Sequence, residues 1–319
     1  YYSRLRAEDP VHRAAAGFWI LTRYDQVREA LRDPRLLRAD DELPGGAPGF
    51  RPEGKDWLEQ LEARATTLAG RAELLGLTKL WMVNLDPPRH PPLRRAAAPG
   101  LDARPEAIER AGEATLALAR GFRDLLRRPG GPPAGSLLAR FGAALPESHA
   151  VAQAILVLFA GQETTAGAIA NGFVALERDP AARARLAAEP ELLPTAVEEL
   201  LRFDGPVQFT LRVAGSALAI GGHTIARGDY LALGVAAANH DPERFTAPDR
   251  LDLARSPNHH LGFGHGSHAC LGAALARAEA EEAFAALFAA RPGLRLASAE
   301  VEWRPGSILR GPVALPVVG

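Results

Sequence analysis

The sequence predicts a mainly α-helical fold with small peripheral β-sheets. Apolar residues recur at helical spacing over long stretches, whereas runs with strand character are few and short. With 319 residues and 47% hydrophobic content, the chain is long enough to bury a large core. Residues 43–56 and 127–136 are rich in Pro and Gly and are predicted loops. A division into two domains at the second loop is conceivable, but we expect one domain over 1–319, because the N-terminal part has few large apolar residues.

The predicted helices differ in how their apolar residues are distributed. Residues 24–33 and 194–203 are amphipathic, so each should pack one face on the core. Residues 144–180 predict one unusually long helix that is apolar on most sides in its middle, and we expect that middle to be buried. A last helix, 271–293, ends at an Arg-Pro-Gly sequence.

Strand signals are confined to short runs. One of them contains the pair Gly221-Gly222, which is typical of a tight hairpin turn. The candidate strands are 18–23, 209–214, 217–225 and 230–239.

Charge and composition argue against several classes of function. The net charge of −1 gives no basic footprint for nucleic acid. The longest apolar run, 154–161, is far too short to cross a bilayer, and residues 1–10 do not form a signal or targeting segment. The single cysteine excludes an internal disulfide and fits a reducing compartment. We therefore expect a cytoplasmic protein with no membrane or nucleic-acid partner.

The only cysteine, Cys270, lies in the stretch LGFGHGSHACLG, residues 261–272, just before a predicted helix. The unpaired N–H groups and the dipole at a helix N-terminus favour a thiolate. Four glycines in this stretch remove side chains, so that the backbone can donate to sulfur and a large flat group can approach closely. Phe263 can shield the sulfur from water.

Three interpretations of this stretch are open from the residues alone. Cys270 could be a buried structural cysteine beside a Gly-rich turn, which is the usual role of such residues. It could share a zinc site with nearby histidines, although the spacing matches no common zinc motif. It could be a thiolate ligand of haem iron, and the spacing favours this third interpretation. The histidines of the zinc alternative are His259, His260, His265 and His268.

The segment FGHGSHACLG, residues 263–272, matches F-G-x-G-x-H-x-C-x-G at every fixed position and resembles the haem-binding loop of the cytochrome P-450 family. The resemblance implies the cytochrome P-450 fold and haem b, iron protoporphyrin IX, as cofactor. It also implies that Cys270 is the axial ligand of the haem iron and that His268 binds a haem propionate. Phe263 and Gly272 would belong to the same pocket.

A second motif, AGQETT at 160–165, lies midway along the long predicted helix and resembles the family's A-G-x-[DE]-T segment on the distal face of haem. Taken alone, it is more often a polar turn of a buried helix. In the family context, Gly161 would clear space beside the iron. Thr164 can bond back to a helix carbonyl and open the helix locally. Glu163 and Thr164 would then relay protons to bound dioxygen.

Other residues match the family in the expected order, although each alone is usually a surface charge. Glu199 and Arg202 form E-x-x-R on one helix face. The resemblance makes them a buried structural network with Arg250. It also assigns Arg212, in a predicted strand, to a propionate.

The sequence NLDPPRHPPLRR, residues 84–95, contains His90 and Arg94 at the spacing H-x-x-x-R. On a helix these two side chains would share one face, suited to a haem carboxylate. Pro92 biases the backbone before it away from helical angles, which weakens the assignment of His90.

The chain is short for this family. Only residues from about 100 to 144 fill the place of several helices that normally precede the distal helix, so we expect those helices to be lacking or outside the given sequence. The resemblance implies a monooxygenase that inserts one oxygen atom of dioxygen into a small organic substrate, with electrons from a ferredoxin and a ferredoxin reductase. A peroxide-driven or cross-linking haem-thiolate enzyme and a non-catalytic haem-binding protein are the alternatives.

Overall fold

The computed structural model describes residues 2–15, 17–38, 105–304 and 308–319, with side chains in the third range from residue 115 onward. The chain divides into two compact units. The first unit contains Tyr1–Leu37 and Gln162–Gly319, and the second contains Arg38–Gly161.

The described part of the second unit is helical. Its core joins Ala119 to Val151, Ile155 and Leu156, all of them fully buried. Ser136 caps one helix, since its Oγ accepts a hydrogen bond from the N–H of Ala139 at 3.2 Å. The helices are α3 (Pro105–Arg127), α4 (Leu137–Ala144) and the first half of α5 (Glu147–Arg178).

The first unit is built on a five-stranded sheet in the order β1-β2-β7-β4-β3. The pair β2 and β7 is parallel, and the other pairs are antiparallel. Two smaller two-stranded sheets, β5-β6 and β8-β9, complete the β structure of the described residues. The strands are β1 (Val11–Arg13), β2 (Trp19–Leu21), β3 (Leu36–Leu37), β4 (Thr210–Ala214), β5 (Leu218–Ile220), β6 (His223–Ile225), β7 (Tyr230–Leu233), β8 (Arg295–Leu296) and β9 (Val317–Val318).

Helices pack beside this sheet and around a second apolar core, in which Phe173, Leu176, Leu200 and Phe284 are buried. Amphipathic spacing accounts for the buried faces of α2 and α7, as the sequence predicted. The helices of the first unit are α1 (Tyr2–Glu8), α2 (Tyr24–Arg32), the second half of α5, α6 (Pro180–Ala188), α7 (Leu193–Asp204), α8 (Val235–Asn239) and α9 (Ala273–Ala290).

Two sequence expectations are corrected by the structure. The candidate strand 230–239 ends at Leu233, and the alanine-rich sequence after Gly234 turns into α8, because alanine favours helix. The predicted burial of the middle of α5 is also wrong. Residues 150–156 and 171–176 are buried, whereas Leu158 is 45% exposed and residues 159–164 are half-buried or exposed. Among the described residues, no helix has the length and apolar character needed to cross a membrane.

Candidate functional site

The cysteine loop, residues 261–272, folds back on itself so that Cys270 lies against Phe263. The backbone N–H of Cys270 donates to the carbonyl of Phe263 over 2.7 Å. The Cys270 side chain is exposed, so a ligand can reach its sulfur. Helix α9 begins at Ala273 with Gly272 as its N-cap, which places the cysteine three residues before the first helical residue. The helix dipole therefore acts on the sulfur from a short distance outside the helix.

Two glycines give the cysteine loop its shape. Gly264 and Gly266 have φ angles of +67° and +74°, in the left-handed region that side chains with a Cβ disfavour. A Cβ at Gly266 would lie 2.8 Å from the Cα of Arg32 in α2. The loop thus rests directly on the backbone of that helix, and only glycine fits there.

We expect Gly266→Ala to lower the free energy of unfolding by about 1–3 kcal/mol, because it combines left-handed strain with a clash against backbone. The matched control is Gly222→Ala, which has φ +82° but open space around the added Cβ. The control should add only backbone strain, which lowers the free energy of unfolding by about 1 kcal/mol. Urea unfolding of the two variants measures the difference. Equal losses would show that the close approach to α2 costs nothing.

His268 and Arg212, the two described residues assigned to haem propionates, lie in the cysteine loop and in β4. His268 lies in a single 3₁₀ turn, Gly266–His268, with its Nε2 buried. Arg212 lies in β4 and is only 3% exposed. Its Nη1 donates to the carbonyl of Leu211 at 2.8 Å and to Thr210 Oγ1 at 3.3 Å. The guanidinium thus carries its positive charge at a buried position in β4, which suits a carboxylate partner.

One face of α5 is fixed against the C-terminal segment. Asn171 Nδ2 donates to the carbonyl of Arg310 at 3.1 Å, and a Cβ at Gly167 would lie 3.7 Å from the same carbonyl oxygen. Glu163 lies four residues before Gly167 and eight before Asn171, so the three residues share one face of the helix. Its Oε1 accepts a hydrogen bond from Nη1 of Arg304. The carboxylate predicted to relay protons is therefore already ion-paired.

Thr164 and Gly161 occupy other positions around the same helix. Thr164 follows Glu163 by about 100° of helical rotation and is half-buried. Gly161 is exposed, and a Cβ added there would meet nothing within 4 Å. In the motif at 160–165, the backbone at Gly161 is thus accessible and the Thr164 hydroxyl is half-buried, whereas the Glu163 carboxylate binds Arg304.

Glu199 and Arg202 form a completely buried ion pair on α7. Arg202 Nε and Nη2 donate to the two carboxylate oxygens of Glu199 at 2.7 and 2.9 Å, and both side chains are fully buried. Arg202 Nη1 also donates to the carbonyl of Asn239 at 2.8 Å. The amide oxygen of Asn239 accepts from the N–H of Leu261 at 2.7 Å. The pair is therefore connected to the first residue of the cysteine loop.

The third charge of this network is Arg255, which corrects the assignment of Arg250. Arg255 Nε donates to Glu199 Oε2 at 3.0 Å, and its side chain is 9% exposed. The Arg250 side chain points to solvent, and only its carbonyl accepts from Arg202, at 3.4 Å. The two arginines lie five residues apart in one irregular segment, PDRLDLAR, which carries no periodicity to show which of them turns inward. Asn258 completes the shell with a 3.1 Å bond to Glu199.

A second group of polar residues, missed by the sequence analysis, lies beside the cysteine loop. Glu198 on α7 accepts from Arg277 Nε at 2.5 Å and lies 3.2 Å from His260 Nε2. Burial alone would raise the pKa of Glu198, but hydrogen bonds from His260 and Arg277 outweigh burial and lower it to about 2. Glu198 and Arg277 lie near matched motifs, yet only the facing of α7 and α9 shows that they meet.

The depressed pKa of Glu198 predicts a loss of stability in acid. The folded value, about 2, lies below the ordinary value of 4.5, so the ionised carboxylate stabilises the fold above about pH 4.5 and loses this effect as the pH falls toward 2. Near pH 6 we expect the free energy of unfolding of wild type to exceed that of Glu198→Gln by about 1–2 kcal/mol, because the carboxylate is partly exposed to solvent. Urea midpoints near pH 6 and pH 3 should show the difference shrinking. A constant difference would mean that the carboxylate charge is not involved.

His90 and Arg94 lie outside the described residues, so the assignment of these residues to a propionate stays a prediction. Within the described ranges, no group of three or more His, Cys, Asp or Glu side chains converges on a possible metal site. The ring of His260 is engaged by Glu198.

Comparison with known proteins identifies the family. A model of the family "Cytochrome P450" matches residues 139–290. The chain is 33% identical to Vitamin D(3) 25-hydroxylase of Pseudonocardia autotrophica, over 99% of this chain and 92% of that protein. It is 33% identical to Nocardicin C N-oxygenase of Nocardia uniformis subsp. tsuyamanensis, over 99% and 94%. The tirandamycin C-bound P450 monooxygenase TamI superposes with a TM-score of 0.79 at 29% identity, over 99% of this chain and 96% of that structure.

The alignment also shows that the chain is shorter than its relatives. The alignment with Vitamin D(3) 25-hydroxylase is 393 positions long, whereas this chain has 319 residues. At least 74 positions of the alignment are therefore gaps in this chain. The expected shortage is thereby confirmed. The cysteine loop, the long helix and the buried network nevertheless all lie in a chain that aligns over nearly its whole length. The chain belongs to the cytochrome P450 family, as a bacterial monooxygenase whose cofactor is haem iron.

Proposed function

We propose that this chain binds haem b through Cys270 and oxygenates a small organic substrate with electrons from a ferredoxin and its reductase. The observation that carries the proposal is the cysteine loop, in which glycine geometry presents an exposed thiol beside Phe263. We further propose that residues 1–319 act as a single domain. The cytoplasm suits the protein, because the thiol must stay reduced to bind iron.

The residues present fit haem on the chemistry of their donors. A thiolate is a soft anionic ligand that suits haem iron. The cationic Arg212 and the imidazole of His268 suit the carboxylates of the macrocycle. A Cβ added at Gly272 would meet no described residue within 4 Å, which leaves this position of the cysteine loop open to a large flat group. We propose that Arg94 and His90 add to the propionate partners.

Cys270 would hold the iron through its thiolate, and the haem would supply a centre that activates dioxygen. With haem covering the exposed thiol, Phe263 would help to keep water from the Cys270 sulfur. Thr164 Oγ1 would hold a proton, and Glu163, which pairs with Arg304 and is 34% exposed, would replace that proton from solvent. Glu199, Arg202 and Arg255 hold the base of the cysteine loop through Asn239.

The first test is the absorption spectrum of the reduced protein with carbon monoxide. A strongly red-shifted Soret band supports thiolate ligation by Cys270, whereas a band typical of histidine or neutral thiol ligation contradicts it. Turnover with a ferredoxin, its reductase and dioxygen then tests the electron source. Product formation with hydrogen peroxide at the same rate would favour the peroxide-driven alternative, and haem binding without turnover would favour a non-catalytic role.

We expect Thr164→Ala to retain the red-shifted band but to divert electrons from product to hydrogen peroxide. Product formed per electron should fall at least about tenfold, because a positioned proton donor contributes about 10²–10⁴ to such steps. Thr164→Ser is the matched control, since it keeps the hydroxyl and should couple nearly as well as wild type. Peroxide yield and product are measured in the same reaction. Wild-type coupling in Thr164→Ala would remove Thr164 from the proton path.

A further inference from the structure

Glu198 and Arg277 join α7 to α9 directly beside the cysteine loop. Arg277 Nε and Nη2 donate to the two oxygens of Glu198 at 2.5 and 2.9 Å. The two side chains are 38% and 25% exposed for Arg277 and Glu198, so the pair is partly shielded from water. A bidentate arginine–carboxylate pair of this kind has a fixed orientation, unlike most surface ion pairs.

The guanidinium of Arg277 also covers the ring of Phe263. Its central carbon lies 4.4 Å from the ring centre, a cation–π distance. The same ring lies 5.8 Å from the ring of His260. Phe263 is thus held between two side chains that both contact Glu198.

His260 has a defined proton arrangement in this cluster. Its Nδ1 accepts a hydrogen bond from the N–H of Gly262 at 3.0 Å, so we assign the ring proton to Nε2, which faces Glu198 at 3.2 Å. Both ring nitrogens are therefore occupied. Glu198, Arg277, Phe263 and His260 form a closed ring of contacts, which we call the loop clamp.

The loop clamp reaches the cysteine by two routes. The carbonyl of Phe263 accepts from the N–H of Cys270, and Arg277 lies in the first turns of α9, seven residues beyond Cys270 in the sequence. The side-chain hydrogen bond to Glu198 raises the pKa of Arg277, and the nearby Cys270 acts in the same direction. Arg277 therefore stays protonated wherever the protein is folded.

We infer that Arg277 is a positioning residue that sets the reduction potential of the bound iron, by fixing Phe263 against Cys270 and holding a positive charge near its sulfur. The inference rests on the proposed function, because it takes Cys270 as the iron ligand. A positive charge near a metal centre favours its reduced state, since reduction adds an electron. Glu198 opposes this charge, so the balance between the two residues determines the potential.

The test is a potentiometric titration of the haem-loaded protein in three variants. Arg277→Met should shift the ferric/ferrous midpoint to more negative values, because it leaves the Glu198 carboxylate without its countercharge. Arg277→Lys should retain most of the wild-type midpoint, since an ammonium also binds an aromatic face. Glu198→Gln should shift the midpoint in the positive direction. Glu279→Gln, on an exposed position of the same helix, is the control and should change little.

The opposite signs separate electrostatic positioning from simple structural support. Loosening of the loop would move both the Arg277 and the Glu198 variants in the same direction, and that result would overturn the inference, as would unchanged midpoints. If Arg277→Met does not fold, the other two variants still test the inference. Glu198→Gln must shift the midpoint in the positive direction, and Arg277→Lys must retain most of the wild-type midpoint. Absence of the red-shifted band in wild type would instead contradict Cys270 ligation, which is a separate failure.

Discussion

Cys270→Ser is expected to abolish the strongly red-shifted band of the reduced, carbon monoxide-bound protein. A serine hydroxyl is far harder to ionise than a thiol and is a poor ligand for haem iron, so it cannot replace the donation of electron density by sulfur. Product formation should fall at least about 10²-fold, the lower range for loss of one essential catalytic group. Spectroscopy and product analysis on the same preparation measure both effects.

The control for this variant lies in the same loop. Ser267 is exposed and precedes the cysteine by three residues, so Ser267→Ala should keep both the band and the activity. Urea unfolding of Cys270→Ser should show nearly wild-type stability of the chain without haem, because the exposed sulfur contributes little packing. A red-shifted band in Cys270→Ser would refute thiolate ligation by this residue.

Arg202→Ala should have the largest effect on stability and should lower the free energy of unfolding by about 3–5 kcal/mol. The substitution leaves Glu199 buried with one ion-pair partner, Arg255, and leaves the carbonyl of Asn239 without its donor. Haem loading should fall as well, because Asn239 holds the first residue of the cysteine loop. Urea midpoints and the ratio of haem absorbance to protein measure the two losses.

The matched control is a surface pair of similar geometry. Arg185 on α6 and Glu189, the C-cap residue of that helix, approach to 3.2 Å, but both side chains are more than 40% exposed. Arg185→Ala should therefore cost less than about 1 kcal/mol. Arg202→Lys should be intermediate, since an ammonium cannot make the bidentate pair. If Arg202→Ala were no more harmful than Arg185→Ala, the buried network would have no special role in this fold.

Local patterns predicted the helices and the cysteine loop well. Helix α7 was expected at 194–203 and spans Leu193–Asp204, and the hairpin at Gly221-Gly222 has the positive φ angles that its sequence indicates. These features depend on periodicity and on turn chemistry, which a short stretch of sequence contains. The loop at 261–272 is of the same kind, because its shape is set by its own glycines and hydrogen bonds.

Contacts between distant segments were not predictable in the same way. Arg255 rather than Arg250 joins Glu199, and Arg304 pairs with Glu163 across 141 residues of sequence. No local pattern states which of several arginines will face a given carboxylate. The loop clamp around Phe263 was missed for the same reason, since it exists only where α7 and α9 meet.

The middle of α5 shows a different limit. Its apolar and small residues predicted burial, yet Gly161 and Gln162 are exposed, and the buried stretches 150–156 and 171–176 lie on either side of them. Periodicity reports the average environment of a helix. Hydropathy alone therefore predicts that a short polar turn within a long apolar helix is part of the core.

The parallel pairing of β2 with β7 has a consequence for biosynthesis. Trp19 in β2 binds Asp229 beside β7 across 210 residues, so the central sheet cannot close until most of the chain has been made. At about 5–20 residues per second, the first strands would wait roughly 10–40 seconds for their partner. A two-stranded ribbon such as β1-β2 is marginal in water on its own. The amino-terminal segment should therefore leave the ribosome unfolded and depend on chaperones until the later strands arrive.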